Sequence, residues 1–308
     1  MMKLYINNPK EDWIADRLKK EWNEYNPKAN KSSLFNSQIV WLMSPWTWKK
    51  IPKTYLKNRK VLCTIHHIDE DKFKDSEEKN FYSRDIYVDE YHVISSGTKN
   101  ALSKLVDKPI TKIPWWANNN LWFHIGDKDK LRSKYNFSSN DYLIGSFQRD
   151  TEGNDMISPK LSKGPDRFLE IVKSLNKEKS DLVVVLTGKR RNYLVNKLQE
   201  NKINFRYFEM ASFFELNELY NILNLYIVSS RVEGGPQSII EASLCKTPLI
   251  STDVGIASEI LSKESIFEMD NFRAAKPNVE YAHNMSLKYT IPGGFDKFNK
   301  LIEKIYEN

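Results

Sequence analysis

Cysteine is nearly absent from this chain. Only Cys63 and Cys245 occur in 308 residues, each inside an apolar stretch. That leaves no disulfide framework and no paired-cysteine metal spacing, and it reads as two buried thiols in a reducing compartment. Long apolar runs are missing too. No stretch approaches the roughly 18–20 residues of a membrane-spanning helix, and the first residues lack the hydrophobic core of a signal peptide. A soluble, cytoplasmic protein is expected. Also absent are a Walker sequence, the three spaced glycines of a dinucleotide fingerprint, zinc-ligand spacing and a Gly-x-Ser-x-Gly elbow.

Charge of both signs is plentiful. Forty-seven Lys and Arg against forty Asp and Glu give a net charge of +7. The surplus fits an anionic ligand or peripheral contact with an anionic membrane, and equally a lysine-rich solvated surface. No recognised nucleic-acid motif accompanies it, so nucleic acid is not an expected partner. The length suits two domains of ordinary size, each able to bury a core.

The most informative stretch is 224–260. Residues 225–229 form a short apolar run typical of a buried parallel strand. Gly234 and Gly235 break the chain, and Pro236 can open a helix where its missing N–H costs nothing. That helix runs through Ile239, Ile240, Ala242 and Leu244, and residues 249–252 give a second buried strand. A helix start behind two glycines offers free N–H groups and a positive dipole end, which suits phosphate. Glu233 sits in the turn. Glu241 lies on the second helical turn, above Gln237 and Ser238. Two carboxylates thus flank one helix mouth.

Glu233-Gly-Gly-Pro-Gln-Ser-Ile-Ile-Glu241-Ala resembles the E-x7-E segment of retaining glycosyltransferases of family 4, and Lys-Thr-Pro-Leu-Ile-Ser-Thr-Asp-Val-Gly resembles that family's strand and turn after the motif. The resemblance implies an α/β protein of the GT-B fold, with two Rossmann-like, doubly wound domains facing across a cleft. Strand–helix alternation occurs twice, with a polar joint near the middle, in agreement with that architecture. The expected domains are 1–138 on the acceptor side and 139–290 on the nucleotide-sugar side. Residues 291–308 form a terminal helix returning to the first, with the bend at 291–294.

In the first half, strands are expected at 3–6, 39–43, 60–65 and 91–95, and helices at 12–25 and about 99–106. The turn after the first strand is Asn-Asn-Pro rather than glycine-rich, leaving Asn8 as a candidate for a sugar hydroxyl and, more simply, as a turn residue. Trp46 and Trp48 fall in a loop, where indoles stack on sugars or pack against a helix. His66 and His67 come just past the third strand, at the ligand edge of an open sheet. That segment looks like the family's Thr-x-His, which implies a histidine beside the transferred sugar. His66 is preferred, with His67 as the alternative. Trp115, Trp116 and Asn118 occupy the place of the family's hinge, and 126–140 reads as a polar linker.

In the second half, strands are expected at 142–146, 181–187 and 203–208, and helices from 165 to 175 and at 215–223; 270–290 reads as irregular. Residues 145–149 with Lys163-Gly164 resemble the family's basic pair, which implies that Arg149 and Lys163 hold the donor diphosphate; Lys160 competes with Lys163. By the same resemblance, Glu241 holds the ribose, Glu233 the transferred sugar and Met210 lies near the base. Backbone groups at Gly234, Gly235, Pro236 and Gln237 assist.

The activity implied is retaining, metal-independent transfer of a hexosyl group from a nucleotide diphosphate sugar to a hydroxyl of a glycan, lipid or small molecule, with a carbohydrate or glycolipid as the expected partner. No cofactor other than that donor is expected. The acidic triplets Asp69-Glu-Asp71 and Asp127-Lys-Asp129 precede expected helices and read as dipole complements rather than metal ligands. The competing readings are a non-catalytic sugar or nucleotide binding module on the same scaffold, and a DNA-modifying glucosyltransferase.

Overall fold

A computed structural model describes residues 2–7, 10, 14–29, 31–70 and 73–307. Asn8 and Asp71, singled out above, lie outside them. The chain divides into two compact units, one of residues 1–116 and 289–308, the other of residues 117–288.

The first unit is built on a parallel sheet of β1 (Leu4–Ile6), β2 (Ile39–Leu42), β3 (Lys60–Ile65), β4 (Glu90–Val93) and β5 (Ile110–Lys112), arranged in chain order. Its helices are α1 (Ile14–Tyr25), α2 (Lys53–Lys57), α3 (Ser76–Asp85) and α4 (Ser96–Leu102). Strands β2 and β4 are buried along their whole length. Covered parallel strands are usually apolar, so Glu90 and His92 in β4 need partners. Glu90 accepts from Thr111 Oγ1 at 2.6 Å and from Lys304 Nζ at 2.9 Å. His92 Nδ1 meets Thr64 Oγ1 at 2.9 Å, and Nε2 meets the Ile113 carbonyl at 2.7 Å.

The core of this unit is aromatic. Helix α1 turns Ala15, Leu18 and Trp22 inward at helical spacing. Trp22 meets Trp41 edge-on at 5.3 Å, Phe295 at 5.4 Å and Trp116 at 5.5 Å. Trp115 stacks on Phe298 at 5.5 Å and 9°. Indole N–H groups are satisfied: Trp116 Nε1 donates to buried Glu21 at 3.0 Å and Trp41 Nε1 to Thr64 at 2.9 Å. The two tryptophans at the hinge position are therefore core residues.

The second unit begins with α5 (Lys128–Lys134) and continues through β6 (Tyr142–Ser146), α6 (Pro165–Asn176), β7 (Leu182–Thr187), α7 (Asn192–Glu200), β8 (Phe205–Phe208), α8 (Phe213–Ile222), β9 (Leu225–Val228), α9 (Gln237–Leu244), β10 (Leu249–Ser251), α10 (Ala257–Ile260) and α11 (Val279–Ser286). The last helix of the chain, α12 (Asp296–Glu307), belongs to the first unit. There Asn26 Nδ2 donates to Asn299 Oδ1 at 3.0 Å. No described helix is long and apolar enough to cross a membrane.

Two segments differ from the sequence expectation. The division between units falls at 116/117 rather than 138/139, because the stretch read as a polar linker is bound to the second unit. Arg132 is buried there and donates to the Ile222 carbonyl at 3.1 Å and Asn224 Oδ1 at 2.6 Å. Phe123 N and Ile125 N are capped by Asn217 and Asn221 at 3.0 and 2.7 Å. The stretch 270–290, read as irregular, contains α11. Asn278 caps that helix by accepting from Tyr281 N. Only Ala282 and Ser286 are buried on it, too few for a visible hydrophobic period.

Replacing Trp22 by Ala removes the ring on which these aromatics converge. A loss of about 3–5 kcal/mol is expected in urea denaturation. A loss below about 1 kcal/mol would mean that the cluster repacks at little cost.

Candidate functional site

The second sheet has the order β10-β9-β6-β7-β8, all parallel. The chain moves outward from β6 through β7 to β8, then returns to the other side of β6 with β9. Connections leaving β6 and β9 therefore diverge at their carboxyl ends, and an open α/β sheet binds ligands in the crevice this creates. Arg149 comes after β6. Ser230 and Glu233 come after β9, Lys163 precedes α6 and Gln237 opens α9. Strand order brings these segments, up to 88 residues apart in sequence, to the carboxyl ends of β6 and β9, and Lys163, Ser230 and Glu233 meet there.

Two glycines set the backbone. Gly164 has φ 62°, and a Cβ there would collide with the Ser229 carbonyl. Ser229 Oγ donates to Gly164 O at 2.8 Å, while Arg231 N and Val232 N donate to Ser162 O at 2.8 and 3.1 Å. The turn carrying Lys163 is thereby stitched to the turn carrying Glu233. Gly255, at φ 59°, lies against the Gly234 carbonyl so closely that a side chain would displace the Gly-Gly-Pro turn. Pro236 caps α9 instead of occupying its first turn, one residue from the expected start.

Lys163 Nζ and Glu233 Oε1 form an ion pair at 2.5 Å, with side chains 24% and 9% exposed. Ser230, fully buried, brings its hydroxyl within 3.2 Å of the same carboxylate oxygen and 3.0 Å of Gln148 Oε1. Glu241 is buried and accepts from Tyr220 Oη at 3.2 Å. Burial raises the Tyr220 pKa well above the phenol range, so that hydroxyl stays a donor. Neither polar atom of the covered Gln237 amide has a hydrogen-bond partner among the described residues, an unusual state for a buried group. Arg149 is exposed, and its Nε donates to the Thr151 carbonyl at 2.7 Å. Partial burial and the neighbouring charge of Arg190 both disfavour its protonated form; an anion would relieve that. Met210 is 69% exposed in the turn after β8.

Ser230, Gln148 and Tyr220 were not foreseen. A serine inside a strand end and a tyrosine on a core helix face carry no signal in one sequence. Only the fold shows that Ser230 and Tyr220 reach the two glutamates and that Gln148 reaches Ser230.

His66 and His67 lie past β3 in the first unit, His66 half-buried and His67 exposed. His66 Nε2 lies 2.8 Å from the Met43 carbonyl. A carbonyl only accepts, so Nε2 carries the proton and Nδ1 presents a lone pair. The ring packs between Trp46 and Trp115 at 5.6 and 5.9 Å. The tryptophan loop is a short 3-10 helix, Pro45–Lys50. Trp48 is buried and donates to Asn80 at 3.1 Å, a packing role, whereas Trp46 is 41% exposed. Of the acidic triplets, Asp127 caps α5 by accepting from Lys130 N. Among the described residues no cluster of three or more His, Cys, Asp or Glu could hold a metal ion.

Residues 157–283 match the family model described as "Glycosyl transferases group 1". The match takes in Lys163, Glu233 and Glu241 and stops short of Arg149. HepE of Anabaena, solved with UDP and glucose, is similar over 100% of both chains at 13% identity and a TM-score of 0.71. Its complex with UDP-glucose gives 14% identity and the same score over 100% of this chain and 99% of that one. Sucrose-phosphate synthase of Thermosynechococcus elongatus is similar over 95% of this chain and 76% of its own, at 14% identity and a TM-score of 0.67. No curated protein matches in sequence. The chain has the GT-B fold, and residues 157–283 within it match the glycosyl-transferases-group-1 model.

Burial lowers the pKa of His66 to about 4 and of His92 to about 3. The unfolded chain takes up these protons near pH 6.5, before the folded chain does. Their contribution is complete above pH 6.5 and is lost as pH falls, at up to about 1.4 kcal/mol per unit for each ring. Asp150, raised to about 6 by burial, gains protons in the folded state first and opposes the loss between about pH 6 and 4. Thermal stability is expected to fall below pH 6.5, with a shallower slope in His92→Gln. An unchanged slope in that variant would contradict the assignment.

Proposed function

We propose that this protein is a retaining, metal-independent glycosyltransferase that moves a hexosyl group from a UDP-sugar to a hydroxyl of a carbohydrate or glycolipid acceptor. The observation that carries the reading is the juxtaposition of Lys163 and Glu233 at the strand-order reversal, with the mouth of α9 beside them. UDP is chosen because the HepE complexes contain UDP and UDP-glucose.

Arg149 and Lys163 would take the diphosphate, with the N–H groups at the start of α9. Fixed cations stabilise the charge that grows on the leaving diphosphate as the glycosidic bond breaks. Glu241 would accept from the ribose hydroxyls and Glu233 from those of the transferred sugar. Met210 is assigned to the base. His66, with its Nδ1 lone pair, would accept from a sugar hydroxyl.

No side chain is assigned as a covalent nucleophile. The bond from the anomeric carbon to the β-phosphate oxygen breaks, and UDP departs with the electron pair. The acceptor oxygen bonds to the anomeric carbon on the same face. Its proton passes to the departing phosphate oxygen.

Turnover of UDP-glucose, as hydrolysis or transfer, is expected to drop at least about a hundredfold in Arg149→Ala, the scale of losing one such charge stabiliser. Glu233→Ala should lose turnover too, and full activity in both variants would sink the assignment. Glu233 and the phosphate compete for Lys163 in this arrangement. Glu233→Gln should therefore bind UDP more tightly while turning over UDP-glucose more slowly, as calorimetry and a coupled assay would show. Weaker UDP binding in that variant would contradict the competition.

A further inference from the structure

We infer that a buried ion pair, Asp150–Arg191, is the positioning element that holds Arg149 in place for the diphosphate. The inference rests on the role proposed for Arg149 in diphosphate binding. Arg191 is fully buried and Asp150 nearly so, with Nε to Oδ2 at 3.1 Å. Arg191 cannot touch a ligand from there; its guanidinium joins the side chains of two residues that flank 147–149. Its Nη2 donates to Ser146 Oγ at 3.3 Å, at the end of β6, so the guanidinium brackets residues 147–149 between Ser146 and Asp150. The backbone N–H groups of Tyr193 and Leu194, in the first turn of α7, favour the charged form of the Asp150 carboxyl against its burial.

The backbone repeats the connection. The Arg190 carbonyl accepts from Asp150 N and Thr151 N, both at 3.2 Å, and from Thr151 Oγ1 at 3.0 Å. Lys160 N closes the far side of the loop onto Asp150 O at 2.8 Å. The Thr151 carbonyl, fixed in this way, is the group that holds Arg149 Nε at 2.7 Å. Among the described residues the two Nη groups of Arg149 make no bond, which leaves them for a ligand. Arg191 thus acts through Asp150 and Thr151 on Arg149.

Burying such a pair is a poor route to stability, since desolvation offsets most of the attraction and an apolar replacement is often neutral. Its geometry is another matter. The planar fork of arginine fixes two partners at once, which lysine does not do.

The test is a double-mutant cycle on the full chain, reading UDP affinity by calorimetry in wild type, Arg149→Ala, Arg191→Met and the double variant, with uridine as the phosphate-free control. Arg191→Met is expected to weaken UDP about tenfold, the scale of one charge-assisted hydrogen bond, and uridine not at all. Because both residues act on one contact, the double variant should bind no worse than Arg149→Ala. Arg191→Lys should fail to restore binding. Hydrogen exchange at residues 147–160 should quicken in Arg191→Met while the unfolding transition stays cooperative. Full additivity, equal weakening of UDP and uridine, or unchanged exchange at 147–160 would overturn the inference. Should Arg191→Met not fold, the isosteric Asp150→Asn takes its place in the cycle with the same expectations. If wild type binds none of UDP, GDP and ADP, it is the functional reading that fails, and the exchange measurement still decides whether Arg191 holds the loop.

Discussion

Strand order in the second sheet is the constraint on which the rest of the site depends. Once β9 pairs with β6 on the side away from β7, the connections from the two strands must part at their carboxyl ends. Everything proposed to touch the donor diphosphate hangs from those diverging segments. The polar contacts then refine what topology allows: Ser229 and Gly164 bind the two turns together, and Gly255 lets the Gly-Gly-Pro turn settle against a neighbouring backbone. A Cβ at either glycine would force the turns apart without touching a charged group.

The two units solve the problem of burial differently. The first packs tryptophan, phenylalanine and histidine rings edge to face around Trp22, Trp41 and Phe298, with the Trp41 indole N–H tied to a fixed partner. Such pairs add about 0.5–1.5 kcal/mol each beyond area burial. The second has an aliphatic core of Val184, Leu186, Ile227 and their neighbours. Beyond its strand ends Glu233 and Asp150 are held by Lys163 and Arg191, and Glu241 on α9 is held by Tyr220. Charges in such places are costly unless paired, and the pairs that satisfy them also fix their positions.

The fold was legible in the sequence because it rests on local signals, and of the expected site residues Lys163 and Glu233 are in contact. Short β-branched runs mark strands buried on both faces, and Gly-Gly-Pro between Glu233 and an apolar helix marks the turn into α9. What stayed hidden depended on distant partners. Arg132 reads as a solvated linker charge until Ile222 and Asn224 are beside it. Trp115 and Trp116 read as loop residues until Phe298 and Phe295, from the far end of the chain, pack on them. Ser230 gains meaning only from Gln148 and Glu233, and Arg191 only from Asp150.

The central claim is that a nucleotide diphosphate seats where β6 and β9 part. Hydrogen exchange with and without UDP, read peptide by peptide, locates that seat without reference to turnover. The account predicts slowed exchange confined to residues 147–165 and 230–241, where Arg149, Lys163, Glu233 and the start of α9 lie, because a bound ligand protects the amides it holds. Unchanged exchange in both segments, or protection that falls elsewhere, would contradict it.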